Sequence, residues 1–87
     1  MADEPVESTD TAALQIDGVD VIALWQEVLG RDDIGPDDNF FILGGDSLKA
    51  ARVVGRLKKR TGRQVSLRTA FEFPTPARFT AAVRAGG

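Results

Sequence analysis

Eighty-seven residues allow one small domain with a modest core, and 43% apolar content is ordinary for a globular chain. With no cysteine and no histidine, the chain has no disulfide framework, no thiolate, no Ser-His-Asp catalysis and none of the commonest zinc ligand. The net charge of −2 conceals a split: residues 1–46 hold twelve acids and one base, Arg31, while residues 47–87 hold ten bases and one acid, Glu72.

Such a split predicts two solvated faces that attract each other as the halves pack. No aromatic residue interleaves Lys58-Lys59-Arg60, so single-stranded nucleic acid would find no stacking platform there, and no nucleic-acid partner is expected. No stretch approaches membrane-spanning length, and no membrane partner is expected. Residues 1–16 are acidic, rich in Ala, Ser and Thr, and without periodicity. They predict a disordered leader, and they lack the apolar run of a signal peptide. A reducing cytoplasm fits the absence of cysteine. The folded domain is expected over 17–85, with 86–87 a frayed tail.

Asp17 is the expected N-cap of a first helix over Gly18–Leu29, with Asp20 adding negative charge to its first turn. Val21, Leu24, Trp25 and Val28 keep the i, i+3, i+4, i+7 spacing of a buried stripe, which makes Trp25 a core residue. Gly30 is placed to end the helix in the left-handed conformation. A fifteen-residue connection, 31–45, follows. Ile34, Phe40, Phe41, Ile42 and Leu43 are expected to pin it to the core, and Asp37-Asp38-Asn39 to open a single turn after Pro36. The acids Asp32, Asp33, Asp37 and Asp38 do not match the spacing of an EF-hand loop, so they read as solvated capping acids and no metal site is expected.

Next comes Leu43-Gly44-Gly45-Asp46-Ser47-Leu48. Asp and Ser open helices, because their side-chain oxygens accept from the first free backbone N–H groups. Glycines just before leave the backbone bare. The pattern therefore presents a serine hydroxyl at a helix N-terminus, where partial positive charge and unpaired donors favour a phosphate. The second helix is expected over Ser47–Arg60, closed by Thr61-Gly62. Ala50, Val53, Val54 and Leu57 share its core face. Leu48, Ala51 and Gly55 form a small apolar strip on the other side, flanked by Arg52 and Lys59. Gly55 costs roughly 1 kcal/mol relative to Ala within a helix, and a closely approaching partner would give that cost a purpose.

Ser66 is expected to cap a short helix over Leu67–Glu72, with Leu67, Ala70 and Phe71 pointing inward. Thr75-Pro76 restarts the chain as N-cap and first helical residue. A last helix over Ala77–Arg84 buries Phe79 and Val83, with Ala82 at its edge. The sum is an all-α bundle of three main helices plus one short helix.

Leu43-Gly44-Gly45-Asp46-Ser47-Leu48, with Asp37-Asp38-Asn39-Phe40-Phe41 upstream and Phe73-Pro74-Thr75-Pro76 downstream, resembles the thiolation (peptidyl carrier protein) domain of nonribosomal peptide synthetases. The resemblance spans 19–83. It implies a small right-handed, acyl-carrier-like bundle in which Ser47 carries a covalent 4′-phosphopantetheine arm. A phosphopantetheinyl transferase would move the arm from coenzyme A, using Mg²⁺ held mainly by the transferase. An adenylation domain would then load an amino or aryl acid as a thioester for condensation, thioesterase or tailoring domains. Gly44 and Gly45 would let a partner's active-site mouth approach. Asp46 would help hold the transfer metal or only cap, and Leu48, Ala51, Arg52 and Gly55 would be the docking strip of a monomer. A serine with no positioned base is a poor nucleophile, so Ser47 reads as a substrate of other enzymes and the chain as a carrier, not an enzyme. The basic residues after Ser47 favour the peptidyl kind over polyketide or fatty-acyl carriers, whose second helix is usually acidic. That acyl-carrier alternative stays open, as does a helical interaction module without an arm.

Overall fold

The computed structural model describes residues 14–86. Among the described residues four helices make up the bundle: α1 (Val21–Leu29), α2 (Ser47–Thr61), α3 (Leu67–Glu72) and α4 (Pro76–Arg84). Each starts on a side-chain cap that accepts from the third residue on. Asp20 accepts from Ala23 N, Asp46 from Lys49 N, Ser66 from Thr69 N and Thr75 from Arg78 N. Gly30 and Gly62 end α1 and α2 in the left-handed conformation, as their places in the sequence predict. α2 packs on α1 and α3, and α4 closes the bundle against α1 and α3.

The first helix differs from its expected start. Asp17 does not cap it. Asp17 and Gly18, at φ 51° and 84°, form the two-residue turn of a hairpin between β1 (Gln15–Ile16) and β2 (Val19–Asp20). The register sets Gln15 opposite Asp20 and Ile16 opposite Val19. Positive φ at both central residues is what a tight hairpin requires, and Asp-Gly supplies it. The helix then begins three residues late, at Val21.

The hairpin also corrects the leader. Ile16 is 1% exposed and belongs to the core beside Val21, Leu24 and Phe79. Residues 14–16 are therefore part of the folded unit, while residues 1–13 lie outside the described residues. The leader expectation rested on the absence of periodicity, and one buried side chain on a two-residue strand leaves no periodic trace. Arg63 ties this hairpin to the end of the chain. Its Nε donates to Asp17 Oδ2 at 2.7 Å and its Nη1 to the Val83 carbonyl at 3.4 Å. Deleting residues 1–16 removes a core side chain and is expected to lower the thermal midpoint. An unchanged midpoint in a calorimetric melt would show that Ile16 contributes nothing.

The two charged halves do attract each other. Glu27 on α1 accepts from Arg56 at 3.1 Å and Arg60 at 3.4 Å on α2, alongside the Arg63–Asp17 pair. All are solvent-facing, so each adds little stability.

The connection 31–46 is anchored by backbone bonds to the α3–α4 corner. Phe40 N donates to the Pro74 carbonyl at 2.7 Å, and Ala77 N to the Pro36 carbonyl at 3.0 Å. Asn39 caps a single turn, accepting from Phe41 N and Ile42 N. Leu43 N closes that turn on the Asn39 carbonyl at 3.1 Å. Ile34 and Phe40 are buried, and Phe41 and Leu43 pack partly against the core. Ile42 does not follow them: it is 83% exposed. The turn points one of its residues outward, and Ile42 is that residue. On α3 the inward side is Thr69 and Ala70, while Leu67 and Phe71 face solvent, contrary to expectation. The Phe71 ring lies flat on Phe41, centroids 5.4 Å apart and planes 5° apart, outside the core.

Candidate functional site

Phe40 is the structural centre of the motif. Its ring is buried edge-on to Trp25, at 4.8 Å between centroids, and its carbonyl accepts from Gly45 N at 2.9 Å. Gly45 lies so close that a Cβ there would overlap the edge of the Phe40 ring and come within 2.7 Å of the Phe40 carbonyl oxygen. The bareness of residue 45 is thus filled from within the fold. Gly44, by contrast, is exposed, has φ +107° and faces open space.

Asp46 Oδ1 accepts from Lys49 N at 2.9 Å and caps α2. Ser47 is therefore the first helical residue rather than the cap. It is exposed, and no described side chain hydrogen-bonds its hydroxyl. The helix behind it runs fifteen residues, so its N-terminal donors and dipole face whatever anion Ser47 bears. An open hydroxyl, a bare Gly44 and a positive helix end fit a serine-linked phosphodiester. With no described base bonded to it, the hydroxyl is equipped to receive a group, not to act as a nucleophile unaided.

The strip beside Ser47 is arranged as the helical wheel predicts. Leu48 is 63% exposed, and Ala51, Arg52 and Gly55 are exposed with it. Arg52 makes no ion pair with a described residue, so its charge is available. Ala50, Val53, Val54 and Leu57 are buried on the other side. Sequence reasoning missed Ile42 and Phe71, which leave apolar surface on the connection and on α3. It also missed Arg31. Arg31 grips both oxygens of Asp33 at 2.7 and 2.8 Å and donates to the Leu43 carbonyl at 3.1 Å. The guanidinium holds the Asp33 carboxyl down to about 2, so this pair stays ionised throughout the neutral range. The one signal available was that Arg31 is the lone base among twelve acids. The other acids of the connection act as expected: Asp38 accepts from Gly35 N at 2.8 Å, and Asp32 and Asp37 face solvent.

Val54 and Leu48 make a matched pair on one helix. Val54→Ala removes buried methyl groups at a position 7% exposed and should destabilise by roughly 1–3 kcal/mol. Leu48→Ala should change stability by no more than about 0.5 kcal/mol and should instead slow arm transfer or use of the loaded domain. Urea melts and loading rates on both variants check this. An early melt of Leu48→Ala with normal loading would remove Leu48 from the docking strip.

The family model for the phosphopantetheine attachment site matches residues 19–83. Surfactin synthase subunit 3 of Bacillus subtilis (strain 168) is 45% identical over 67 residues, 77% of this chain but 5% of that protein. BlmI, a type-II acyl carrier protein of Streptomyces verticillus involved in bleomycin biosynthesis, has a solved structure that superposes with a TM-score of 0.76. It is 36% identical, and the match covers 93% of this chain and 94% of that one. The adenylation–carrier portion of McyG, solved with phenylalanyl-adenylate, superposes at 0.67 with 42% identity, over 71% of this chain and 10% of that one. The chain spans a small fraction of the synthetases it matches and nearly the whole of the BlmI acyl carrier protein chain. An exposed serine at the head of a capped helix, within a matched region of 65 residues out of 87, places this chain in the phosphopantetheine-attachment family, as a carrier that holds a prosthetic arm and not as an enzyme.

Proposed function

We propose that Ser47 is the residue that bears 4′-phosphopantetheine, and that the domain carries amino or aryl acids between partner domains in nonribosomal peptide synthesis. The observation that carries this is the unengaged, exposed Ser47 hydroxyl at the start of the fifteen-residue α2. When attached, the arm supplies a flexible tether ending in a thiol on which an acyl group rides as a thioester. The chain's own residues do the rest. Asp46 caps the helix, Gly44 leaves the approach open, and Leu48, Ala51, Arg52 and Gly55 offer partners an apolar contact with a free positive charge.

The partners of this reading are a phosphopantetheinyl transferase, an adenylation domain, and condensation, thioesterase or tailoring domains, acting on a monomeric carrier in the cytoplasm. Support comes from the synthetase relatives and from the adenylation–carrier neighbour. The basic second helix, with Lys49, Arg52, Arg56, Lys58, Lys59 and Arg60, favours peptidyl over fatty-acyl carriage. The test is intact mass after incubation with coenzyme A and a promiscuous transferase, then with adenylation domains and amino or aryl acids. Gain of one arm followed by an aminoacyl or aryl mass supports the reading. No gain would leave a helical interaction module, and loading by malonyl groups alone would favour the polyketide kind.

A further inference from the structure

The peptide leading into Ser47 is gripped from two sides. Arg31 donates from Nη1 to the Leu43 carbonyl at 3.1 Å, and its other nitrogens are fixed on Asp33. Lys49 reaches back over the first turn of α2 and donates from Nζ to the Gly44 carbonyl at 3.2 Å. Two consecutive carbonyls thus each have their own cation, one from the end of α1 and one from α2. The amides point the other way: Gly44 N donates to Phe41 O at 3.4 Å and Gly45 N to Phe40 O at 2.9 Å. Gly44 has open space around it and φ +107°, so its own sterics restrain it little. The cap bond of Asp46 fixes the helix start but not the segment before it.

We propose that Arg31 and Lys49 are positioning residues for arm attachment, which clamp the Leu43 and Gly44 carbonyls so that Ser47 is presented to the transferase in one geometry. The proposal rests on the assignment of the arm to Ser47. In the transfer, Ser47 Oγ forms a bond to the pantetheine-side phosphorus of coenzyme A. The pyrophosphate P–O bond breaks, adenosine bisphosphate leaves, and the serine proton passes to a base of the transferase. A hydroxyl that wanders within the docked complex lowers the rate of that step without weakening docking, because Leu48 and Arg52 are untouched. Only a guanidinium fits the Arg31 position. It spans both Asp33 oxygens with two nitrogens and reaches the Leu43 carbonyl with the third, a spread that the three donors of a single ammonium nitrogen do not cover.

Transfer kinetics with coenzyme A and a promiscuous transferase, run well below each melting midpoint, test the clamp. The Arg31→Ala/Lys49→Met double variant should lose about tenfold in kcat, a modest share of what misplacing a reacting group costs. Its KM for the carrier should stay within about twofold, the sign of an interaction that does not act through ground-state binding. Arg31→Lys, which keeps the charge, should behave as Arg31→Ala, and Lys49→Arg should restore kcat. Amide exchange at Gly44 and Gly45 should quicken in the unloaded double variant, a readout independent of any transferase. Unchanged kcat with unchanged exchange overturns the clamp, and so does a rise in KM alone, which would make the two cations docking charges. Failure of the Ser47 assignment looks different: Ser47→Ala would gain the arm, while the exchange result would still stand.

Discussion

Ser47→Ala should remain folded and take up no arm. The structure sharpens the reason. Asp46, not Ser47, caps α2, and the Ser47 hydroxyl bonds to no described side chain, so its removal should cost no more than about 0.5 kcal/mol. Other hydroxyls among the described residues offer poor substitutes. Ser66 is engaged with Thr69 N and Thr69 Oγ1, Thr75 caps α4, and Thr80 is fully buried. Intact mass after transferase treatment and circular dichroism check both halves of the expectation. Uptake of one arm by the mutant would move the attachment site elsewhere and end the assignment.

Gly45→Ala should be among the most damaging single-methyl changes in the chain. The new Cβ would overlap the Phe40 ring and crowd the Phe40 carbonyl oxygen at 2.7 Å. Phe40 has nowhere to go. It is 1% exposed, edge-on to both Trp25 and Phe41, and tied to Pro74 through its amide. Forcing an extra group into such packing costs typically 1–3 kcal/mol and here should lie at or above about 3. That is a large part of the about 5–15 kcal/mol that holds a domain folded. A second measurement separates overpacking from a general intolerance of side chains at residue 45. In a Phe40→Leu background, itself weakened, the further cost of Gly45→Ala should shrink, because the smaller side chain yields space. It should not vanish, since the carbonyl clash remains. Equal costs in both backgrounds, measured by urea melts, would mean that Phe40 is not what excludes the methyl group. Gly44→Ala offers a contrast: no atom stands in the way, and the cost comes from its positive φ alone.

Phe40 and Gly45 show why the motif's flanking residues belong together. The aromatic pair before the glycines is not simply a hydrophobic anchor. Phe40 occupies the place where residue 45 would have a side chain, and this draws the connection tight against the head of α2. Phe41, edge-on to Phe40, continues outward to stack on Phe71, so apolar side chains run from the buried core to the exposed surface. Ile42 on the connection and Leu48 on the helix are also exposed apolar side chains.

By itself the sequence determined the helix ends, the start of α1 excepted, and the place of the serine. Caps and stops are local: Asp46, Ser66 and Thr75 satisfy free amides within three residues, and Gly30 and Gly62 turn where only φ > 0 closes the helix. The wheel of α2 was equally legible, because 3.6-residue periodicity assigns Leu48 and Val54 to opposite faces once the helix is phased. Only the tertiary structure decided the rest. Irregular segments have no period, so nothing in the run Phe40-Phe41-Ile42-Leu43 tells which residue turns outward, and the backbone bonds to Pro74 and from Ala77 chose Ile42. Ile16 became core because a two-residue hairpin folded it under the bundle. Gly45 has no room for a side chain because of a ring five residues away. Arg31 and Lys49, eighteen positions apart in the chain, meet at neighbouring carbonyls because the connection closes a loop between two packed helices.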